Sequence, residues 1–340
     1  MSNSMSPETP NIPAMMRGVL AEPYGEADFL KVKQVAVPVV GDGEVLIKIA
    51  AAGINRPDVL QRLGKYPQPE GVTDILGLEC AGEIVALGAK TNRYKIGDKV
   101  CALVSGGGYA EYVNAPEGQC LPIPAGLDMV LAAAIPESVF TVWSNLFELG
   151  QLKQNELALV HGGASGIGTY AIQMGLAAGA RMIVTVGSPE KVDACIKLGA
   201  VLAINYRRTE FVKQVMDFTN QNGVNVVLDM IGADYIPRNL QAMAGRARHV
   251  SIATQHGQMA AINMREVMTN RFTLTGSTLR ARSVAEKSRL AAEVEAHVWP
   301  WIAQGKVKPV IYQCFPLEKA ADAHKVMESS VHIGKIVLTM

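Results

Sequence analysis

Two patterns of hydrophobic and polar residues divide the chain. Between Arg17 and about Asn114, short segments such as EVLIKIAAAG at 44–53 and CAGEIVALG at 80–88 alternate between polar and apolar residues. This period of two predicts β-strands separated by turns. From Leu157 onward, apolar runs of about five residues alternate with helical stretches, which predicts βαβ units and a parallel sheet. These runs are LALVH, MIVTV, VLAIN, VNVVLD, ARHVSIA and FTLTG.

The end of the chain returns to the strand pattern. GKIVLTM at 334–340 reads as a strand that has no place in a parallel sheet already complete, so we expect it to join the first β-rich part. A length of 340 residues is typical of about two domains.

Composition and charge exclude several classes of protein. With 49% hydrophobic and 19% charged residues, the chain can bury a large core and is not intrinsically disordered. The net charge of +1 provides no whole-chain attraction to nucleic acid or to an anionic membrane, so neither is an expected partner. Residues 1–15 contain neither a basic nor an apolar targeting segment. We interpret them as a disordered extension of a cytoplasmic protein.

The cysteines do not indicate a structural framework. There are 5, an odd number at wide and irregular spacings, and no CxxC pair occurs. Neither a disulfide scaffold nor a structural zinc lobe is predicted.

The strongest chemical motif is a glycine loop between a predicted strand and a predicted helix. After LALVH, the segment GGASGIGTYAIQ places Gly166, Gly168 and Ala171 in a GxGxxA pattern. In this context the pattern is typical of a dinucleotide-binding turn. Glycines allow the backbone to approach a pyrophosphate closely, and the N–H groups of the helix start receive its charge. The alternative is a tight turn that binds no ligand.

The residues after the second strand of this part favour one coenzyme. MIVTV ends at Gly187 and Ser188, without the carboxylate that NAD enzymes use to bind the ribose 2′-hydroxyl. Lys191, Tyr206 and Arg207 instead supply donors and cations suited to a 2′-phosphate, which favours NADPH over NADH. The alternative is that Lys191 caps a surface helix and Arg207 is solvated.

The chain resembles the medium-chain dehydrogenase/reductase superfamily, and within it the zinc-free quinone oxidoreductases of the zeta-crystallin and p53-inducible group. The motifs that carry the resemblance are GEVLIKIAAAGINRPDVLQRLGKYP, ILGLECAGEIVALG, YKIGDKVCALVSGGGYAEY, AAAIPESVFTVW, HGGASGIGTYAIQ and HIGKIVL. The resemblance implies an α/β protein with a GroES-like β-barrel catalytic domain at 16–140 and 282–340. It also implies an NADPH-binding Rossmann domain, a doubly wound parallel sheet, at 141–281.

The positions equivalent to zinc ligands in zinc-dependent relatives look like Asn55, Leu78 and Glu137. An amide, an aliphatic side chain and a single carboxylate do not make the three-ligand site of a catalytic zinc. We therefore expect no metal. Without a Lewis acid, alcohol oxidation is disfavoured, whereas reducing an electrophilic acceptor needs only hydride placement and a proton source.

The resemblance places four residues on the substrate side of the nicotinamide: Asn55, Asp58, Tyr66 and Thr141, with Tyr66 as hydrogen-bond donor to a quinone carbonyl. Each has a plainer interpretation. Asn55 is also suited to a turn, Asp58 to a helix cap and Thr141 to a bond with its own helix backbone. Water is an alternative to Tyr66 as the proton source.

The resemblance also implies contacts with the coenzyme. Those for the pyrophosphate are Ser165, Gly166, Ile167 and Gly168, and those for the adenosine phosphate are Gly187, Ser188, Lys191 and Tyr206. Further candidates at strand ends and near the carboxyl terminus are Ile231, Ala253, Thr254, Thr278, Leu279, Arg280, Gly334 and Lys335. His161 and Asp229, at the ends of buried strands, are interpreted as structural hydrogen-bonding residues.

The function expected first is NADPH-dependent reduction of a quinone or a conjugated carbonyl, by direct hydride transfer in a water-poor cleft between the domains. An enoyl-thioester or enone reductase would use the same fold and coenzyme. A non-catalytic, crystallin-like NADPH-binding protein is the third possibility. Relatives commonly dimerise through the edge of the Rossmann sheet, and FTLTGSTL at 272–279 is a suitable edge strand, so a homodimer is expected.

Overall fold

The computed structural model describes residues 11–340. Most of the extension predicted at residues 1–15 therefore lies outside the described residues. The chain forms two compact units. The first contains the described residues up to Pro136 together with Gln313–Ser330 and Ile336–Met340, and the second contains Glu137–Tyr312 and Val331–Lys335.

The described residues form fifteen strands and ten α-helices. The strands are β1 Met15–Ala21, β2 Leu30–Ala36, β3 Glu44–Ile54, β4 Glu79–Leu87, β5 Lys99–Leu103, β6 Tyr112–Pro116, β7 Cys120–Pro122, β8 Leu157–His161, β9 Arg181–Val186, β10 Leu202–Asn205, β11 Val224–Asp229, β12 Met243–Ser251, β13 Thr273–Gly276, β14 Ile311–Pro316 and β15 Lys335–Thr339. The helices are α1 Arg56–Arg62, α2 Met129–Ala133, α3 Pro136–Val142, α4 Gly166–Ala177, α5 Pro189–Lys197, α6 Phe211–Phe218, α7 Tyr235–Gln241, α8 Met264–Asn270, α9 Val284–Ala303 and α10 Ala320–Ser329. A π-helical segment, Trp143–Leu149, continues α3.

The first unit is built on antiparallel strands. β1 and β2 pair with each other, and a second sheet has the order β14-β15-β3-β4-β5-β7, with β6 also paired to β3. The long strand β3 is at the centre of its core, where Val45, Ile47 and Ile54 are completely buried. The closing strand β15 pairs antiparallel with β3, with Ile336 opposite Ile54. This confirms the prediction that the last strand returns to the β-rich part.

The second unit contains a six-stranded parallel sheet in the order β10-β9-β8-β11-β12-β13. All six predicted apolar runs form its strands, and helices α4 to α8 lie between them in the chain. The chain leaves β8 toward β9 and β10 on one side, and continues from β11 to β13 on the other. Parallel sheets of this kind bind ligands at the carboxyl ends of the two neighbouring strands from which the chain continues in opposite directions across the sheet. Here these strands are β8 and β11.

The observed units differ from the predicted domain boundaries at helix α9. The Rossmann domain was expected at 141–281, whereas the second unit begins at Glu137 and continues to Tyr312. The reason is the apolar stripe of α9, in which Leu290, Val294 and Val298 are completely buried and the helix packs on α4. Burial of such a stripe assigns a helix to the body it packs against.

Candidate active site

The loop after β8 leads directly into helix α4. Ser165 is the N-cap of this helix, and its hydroxyl accepts a hydrogen bond from the Gly168 N–H at 3.0 Å. The first N–H groups of an α-helix have no partner within the helix and carry its positive dipole end. Gly166 and Ile167 are the first two residues of α4. The start of α4 is therefore the natural anion-binding position of this unit.

The packing of the loop explains why two of its residues are glycines. A Cβ at Gly168 would lie 2.3 Å from the Gly162 carbonyl oxygen, and a Cβ at Gly163 would lie 2.4 Å from Val184 Cβ. Gly162 itself has a φ of +70°, which favours glycine. The close approach that Gly168 permits is therefore to the protein's own backbone. Gly168, the second glycine of the pattern, is required by this turn whether or not a ligand binds.

The carboxyl-terminal candidates lie against the same loop. The Gly334 N–H donates to the Ala164 carbonyl at 2.8 Å, and Gly334 forms a parallel bridge with Ser165. Gly334 has a φ of +84°, and a Cβ there would lie 2.1 Å from the Val310 carbonyl oxygen. The structure thus brings Gly334 and Lys335 to the start of α4, although they are distant from it in sequence.

Lys335 and Ser138 flank the first residue of α4. A Cβ at Gly166 would lie 2.5 Å from Lys335 Cδ and 3.2 Å from Ser138 Oγ. The Lys335 side chain is buried, as is the Ser138 hydroxyl, which has no hydrogen-bond partner among the described residues. A buried hydroxyl of this kind usually has a partner in the functional state. Ser138 was not predicted as a site residue, since nothing in its local sequence marks it.

The second predicted cluster forms at the end of β9. A Cβ at Gly187 would lie 2.9 Å from Tyr206 Oη and 3.5 Å from Arg207 Nε. Ser188 is the N-cap of α5, and its hydroxyl accepts from the Lys191 N–H at 3.3 Å. The Lys191 side chain is half-buried, and this burial, together with the Arg207 cation, lowers its pKa. Lys191 is in the first turn of α5, so it does not cap the end of that helix.

A carboxylate that the sequence analysis did not consider lies beside this cluster. Glu190 is exposed in the first turn of α5. A hydrogen bond with Ser188 is the main reason that the pKa of Glu190 is lowered. It follows the end of β9 by several residues, so the strand end itself has no carboxylate, as the sequence analysis stated.

The remaining coenzyme candidates form two groups at the ends of β11, β12 and β13. In the first group, the Ile231 N–H donates to Asp229 Oδ1 at 2.6 Å, and Thr254 lies next to Gly232. Ala253 precedes Thr254 in the same loop. In the second group, Thr278 and Leu279 lead to Arg280, a buried residue whose carbonyl accepts from Lys287 Nζ at 3.4 Å.

His161 and Asp229 are structural, as predicted. His161 Nδ1 is 2.9 Å from Thr185 Oγ1, and its Nε2 is 2.7 Å from Asn239 Oδ1. Burial lowers the pKa of His161. Asn239 Nδ2 in turn donates to Asp229 Oδ2 at 3.2 Å, and His249 Nε2 lies 3.3 Å from the same oxygen. The four strands β8, β9, β11 and β12 are thereby joined by one buried hydrogen-bond network.

In the first unit, two of the predicted substrate-side residues begin helix α1. Asn55 is its N-cap, and Asp58 Oδ2 accepts a hydrogen bond from the Asn55 N–H at 2.7 Å. The same oxygen accepts from Tyr109 Oη at 2.9 Å, and Asp58 is completely buried. The capping interpretation of Asp58 is therefore confirmed. Its position on the substrate side stays a prediction.

The Asn55 side chain has a partner that sequence reasoning missed. Its Nδ2 donates to Glu79 Oε1 at 2.9 Å, and Glu79 is completely buried on β4. Tyr66 lies half-buried in the loop that follows α1. In the second unit, Thr141 is buried, and its hydroxyl donates at 3.5 Å to Glu137 Oε1, one turn earlier in α3. The expectation that this hydroxyl bonds to its own backbone is not met.

Two family models match the chain. The alcohol dehydrogenase GroES-like domain matches residues 41–125, and the zinc-binding dehydrogenase model matches residues 198–338. The quinone oxidoreductase of Sus scrofa is 30% identical over 329 residues, which cover 96% of this chain and 98% of that protein. The chain belongs to the quinone oxidoreductases of the medium-chain dehydrogenase/reductase superfamily. This confirms the resemblance, the GroES-like and Rossmann fold class, and the prediction that the protein is an oxidoreductase.

Solved structures of other quinone oxidoreductases and of related enzymes have the same fold. The structure of Escherichia coli quinone oxidoreductase complexed with NADPH is 28% identical, with a TM-score of 0.86, over 96% of this chain and 100% of that chain. The CurK enoyl reductase is 27% identical, with a TM-score of 0.84, over 96% and 99%. One of these relatives was therefore solved with a nicotinamide coenzyme bound.

The second unit fits such a coenzyme. The start of α4 offers N–H groups, and Gly166 leaves room there for the Lys335 side chain, with the buried Ser138 hydroxyl beside it. Ser165, Gly166, Ile167 and Lys335 would hold its pyrophosphate.

The three residues predicted at the positions of zinc ligands have the following surroundings in the structure. Asn55 bonds to Glu79, Leu78 is a buried aliphatic residue, and Glu137 accepts from Thr141. In the described part of the chain, no group of three or more His, Cys, Asp or Glu side chains could hold a metal ion. No described helix is long and apolar enough to cross a membrane.

Proposed function

We propose that the protein is an NADPH-dependent reductase of quinones or related conjugated carbonyls that works without zinc. The observation that carries this proposal is the cluster at the end of β9, where Tyr206 and Arg207 lie beside Gly187 and the Lys191 cation is close enough to Arg207 to feel its charge. Two cations and a phenol at this position suit a 2′-phosphate. Glu190, which is exposed in the first turn of α5, bonds to Ser188.

In the proposed reaction, one hydride and one proton convert a quinone into a hydroquinone. NADPH supplies the hydride when bound. The chain binds the coenzyme at two points, the start of α4 and the end of β9, and must deliver the proton. Tyr66 is the proposed donor, and water is the alternative proton source. Quinones accept hydride readily. The residues that we assign therefore serve mainly to bind and orient the coenzyme and the quinone, and less to activate the quinone.

The first experiment measures steady-state oxidation of NADPH and NADH with an ortho-quinone, in the presence of EDTA. NADPH-selective turnover that EDTA does not reduce is the expected result. Turnover with NADH alone would contradict the assignment of the β9 cluster, and loss of activity in EDTA would contradict a zinc-free mechanism.

A Lys191→Ala variant tests whether the cluster at the end of β9 binds the 2′-phosphate. It should lower kcat/KM for NADPH by about ten- to a hundredfold, the effect of one charged hydrogen bond, and leave NADH nearly unchanged. Lys197→Ala, in the last turn of the same helix, is the matched control and should change neither value. An equal loss with both coenzymes would show that Lys191 does not contact the 2′-phosphate.

A second candidate function is the reduction of an enoyl thioester. The similarity to the CurK enoyl reductase favours it, and the fold and the coenzyme site would serve equally. An α,β-unsaturated thioester run in parallel distinguishes the two. Turnover of the thioester alone would replace the quinone proposal, and tight NADPH binding without turnover of either acceptor would indicate a non-catalytic protein.

We further propose that the protein is a homodimer formed at the β13 edge of the parallel sheet. Leu274 on β13 is 36% exposed, and α8, which packs on the neighbouring strand β12, exposes Met264 and Met268 and contains no buried residue. An edge strand with apolar neighbours is suited to pairing with a second copy. Sedimentation of the wild-type protein tests this directly. A cytoplasmic location is also proposed, since no disulfide joins any of the 5 cysteines, and cell fractionation would test it.

A further inference from the structure

We infer that the Ser138 hydroxyl is a coenzyme-binding group, which donates a hydrogen bond to the pyrophosphate at the start of helix α4. The inference deepens the proposed function and rests on it for one point, that the bound molecule is a nicotinamide dinucleotide. Ser138 lies on α3 and exposes 1% of its surface. Its hydroxyl has no hydrogen-bond partner among the described residues.

The position of Ser138 in its helix explains why the hydroxyl has no partner on its own backbone. A serine inside a helix commonly donates to a carbonyl three or four residues earlier. Ser144 does so, to the Phe140 carbonyl at 2.8 Å. Ser138 is the third residue of α3, so the residues three and four positions earlier, Ile135 and Ala134, precede the helix. The local backbone therefore does not account for this buried hydroxyl, which is costly to keep without a partner.

The hydroxyl lies instead against the first residue of α4. A Cβ at Gly166 would lie 3.2 Å from Ser138 Oγ and 2.5 Å from Lys335 Cδ, so the hydroxyl and the lysine stem are next to the same backbone position. Two other hydroxyls at this helix start are used by the turn itself. The Ser165 hydroxyl caps α4, and Thr169 Oγ1 donates to the Gly166 carbonyl at 3.0 Å. Of these three hydroxyls, that of Ser138 is the one that the turn does not use.

The chemistry of the groups at this position selects an anionic acceptor. The first N–H groups of a helix and a lysine ammonium only donate hydrogen bonds, whereas a hydroxyl both donates and accepts. A ligand that accepts hydrogen bonds from all of them therefore fits here. A pyrophosphate has several acceptor oxygens, and its negative charge is favoured by the positive end of the α4 dipole. The proton of the Ser138 hydroxyl can rotate toward such an oxygen.

The test measures the binding of NADPH and of NADH to the Ser138→Ala variant by calorimetry, with no quinone present. We expect the Kd of both coenzymes to rise by the same factor, about ten- to a hundredfold, which is the effect of one hydrogen bond to a charged group. The factor is shared because both coenzymes contain the pyrophosphate. Lys191→Ala, by contrast, should weaken the binding of NADPH alone. An unchanged Kd for both coenzymes in Ser138→Ala would overturn the inference.

Thermal stability separates coenzyme binding from a merely structural role. Ser138→Ala removes a buried polar group without breaking a hydrogen bond, so the thermal midpoint of the coenzyme-free protein should stay the same or rise. Ser144→Ala is the matched control, because Ser144 is also buried but bonds to the Phe140 carbonyl. It should lower the midpoint by about 1–3 °C and leave both Kd values unchanged. A lower midpoint for Ser138→Ala with an unchanged Kd would show that the hydroxyl is only structural.

Phosphorus NMR identifies the part of the coenzyme that Ser138 contacts. In the complex with NADPH, Ser138→Ala should shift the pyrophosphate signals and leave the 2′-phosphate signal in place. The compound 2′-phospho-ADP-ribose, which has the pyrophosphate but lacks the nicotinamide, should lose affinity by the same factor as NADPH. Undiminished binding of this compound to Ser138→Ala would place the hydroxyl at the nicotinamide and overturn the inference.

The same measurements distinguish failure of this inference from failure of the proposed function. A wild-type protein that binds NADH alone, with an affinity that Ser138→Ala lowers, would reject the preference for NADPH and support the role of Ser138. A wild-type protein that binds neither coenzyme would reject both. Equal binding of NADPH by wild type and Ser138→Ala would reject the role of Ser138 alone.

Discussion

Replacing His324 by glutamine should make the protein less sensitive to acid. His324 is completely buried on α10, and its Nε2 lies 3.3 Å from Tyr109 Oη. Since the Tyr109 proton is donated to Asp58, Nε2 must carry the proton of the histidine. Its Nδ1 is buried and has no partner among the described residues. A second proton would bind to Nδ1, where no described residue accepts a hydrogen bond from it.

The environment opposes that second proton further. Burial, followed by the charges of Arg62 and Arg56, lowers the pKa of His324 from 6.5 to about 3. Arg62 is itself completely buried and bonds to Glu328 through two nitrogens, at 2.9 and 2.6 Å. Protonated His324 would thus bring a second cation into the same enclosed space.

The sign and size of the effect follow from linkage. Between pH 6.5 and about pH 3, the unfolded chain binds a proton at this histidine that the folded chain does not. The stabilisation is therefore complete above pH 6.5 and is lost as the pH falls. Each pH unit in this window changes the unfolding equilibrium by up to tenfold, and the whole window amounts to about 5 kcal/mol.

The assay is urea unfolding of wild type and His324→Gln at several values between pH 7.5 and pH 4.5, followed by circular dichroism. Glutamine can still donate to Tyr109 but does not titrate. Other groups titrate in both proteins, so the difference between their pH dependences reports His324. His297→Gln, an exposed histidine on α9, is the control and should follow wild type. A His324→Gln protein whose midpoint falls with pH as steeply as that of wild type would refute this account.

Three further changes test the packing and the assembly. Gly168→Ala should destabilise the protein by about 1–3 kcal/mol, because its Cβ would overlap the Gly162 carbonyl oxygen, whereas Gly245→Ala, which has open space, should leave the thermal midpoint unchanged. Arg248→Met should lower the urea midpoint by an amount equivalent to about 2–3 kcal/mol, since it leaves the largely buried Glu156 without its bonds of 2.9 and 2.6 Å; an unchanged midpoint would contradict this. Leu274→Lys should convert the proposed dimer into a monomer in sedimentation, and a wild type that is already monomeric would exclude the dimer.

The parts of the fold that follow from local patterns were predictable from the sequence. The six parallel strands appear as apolar runs, and the glycine loop appears as a motif, because each depends on residues within a few positions of one another. That helix α9 belongs to the second unit could not be predicted in this way. Its apolar stripe shows that the helix packs on something, but only the tertiary structure shows that it packs on α4.

The site residues that were missed are those defined by distant partners. Glu79 bonds to Asn55 across 24 positions, and His324 meets Tyr109 across 215. The periodic pattern of hydrophobic and polar residues does not indicate contacts between residues so far apart in the sequence. A signal for Glu79 was nevertheless present in the sequence, since a carboxylate follows the apolar run ILGL and a glycine without a turn, Gly53, interrupts the facing strand. Each alone is ordinary, and together they indicate a buried polar contact.

The glycine motif predicts the turn after β8 more directly than it predicts coenzyme binding. In this chain, Gly163 and Gly168 are required by contacts with Val184 Cβ and with the loop backbone, so these two glycines would be retained even in a protein that bound nothing. Gly166 differs, because the atoms its missing Cβ would meet are the Lys335 side chain and the Ser138 hydroxyl. Gly166 therefore makes room for a lysine, next to a buried hydroxyl, at the start of a helix, and these groups suit an anion. The coenzyme site is indicated less by the number of glycines in the loop than by the side chains that lie against Gly166.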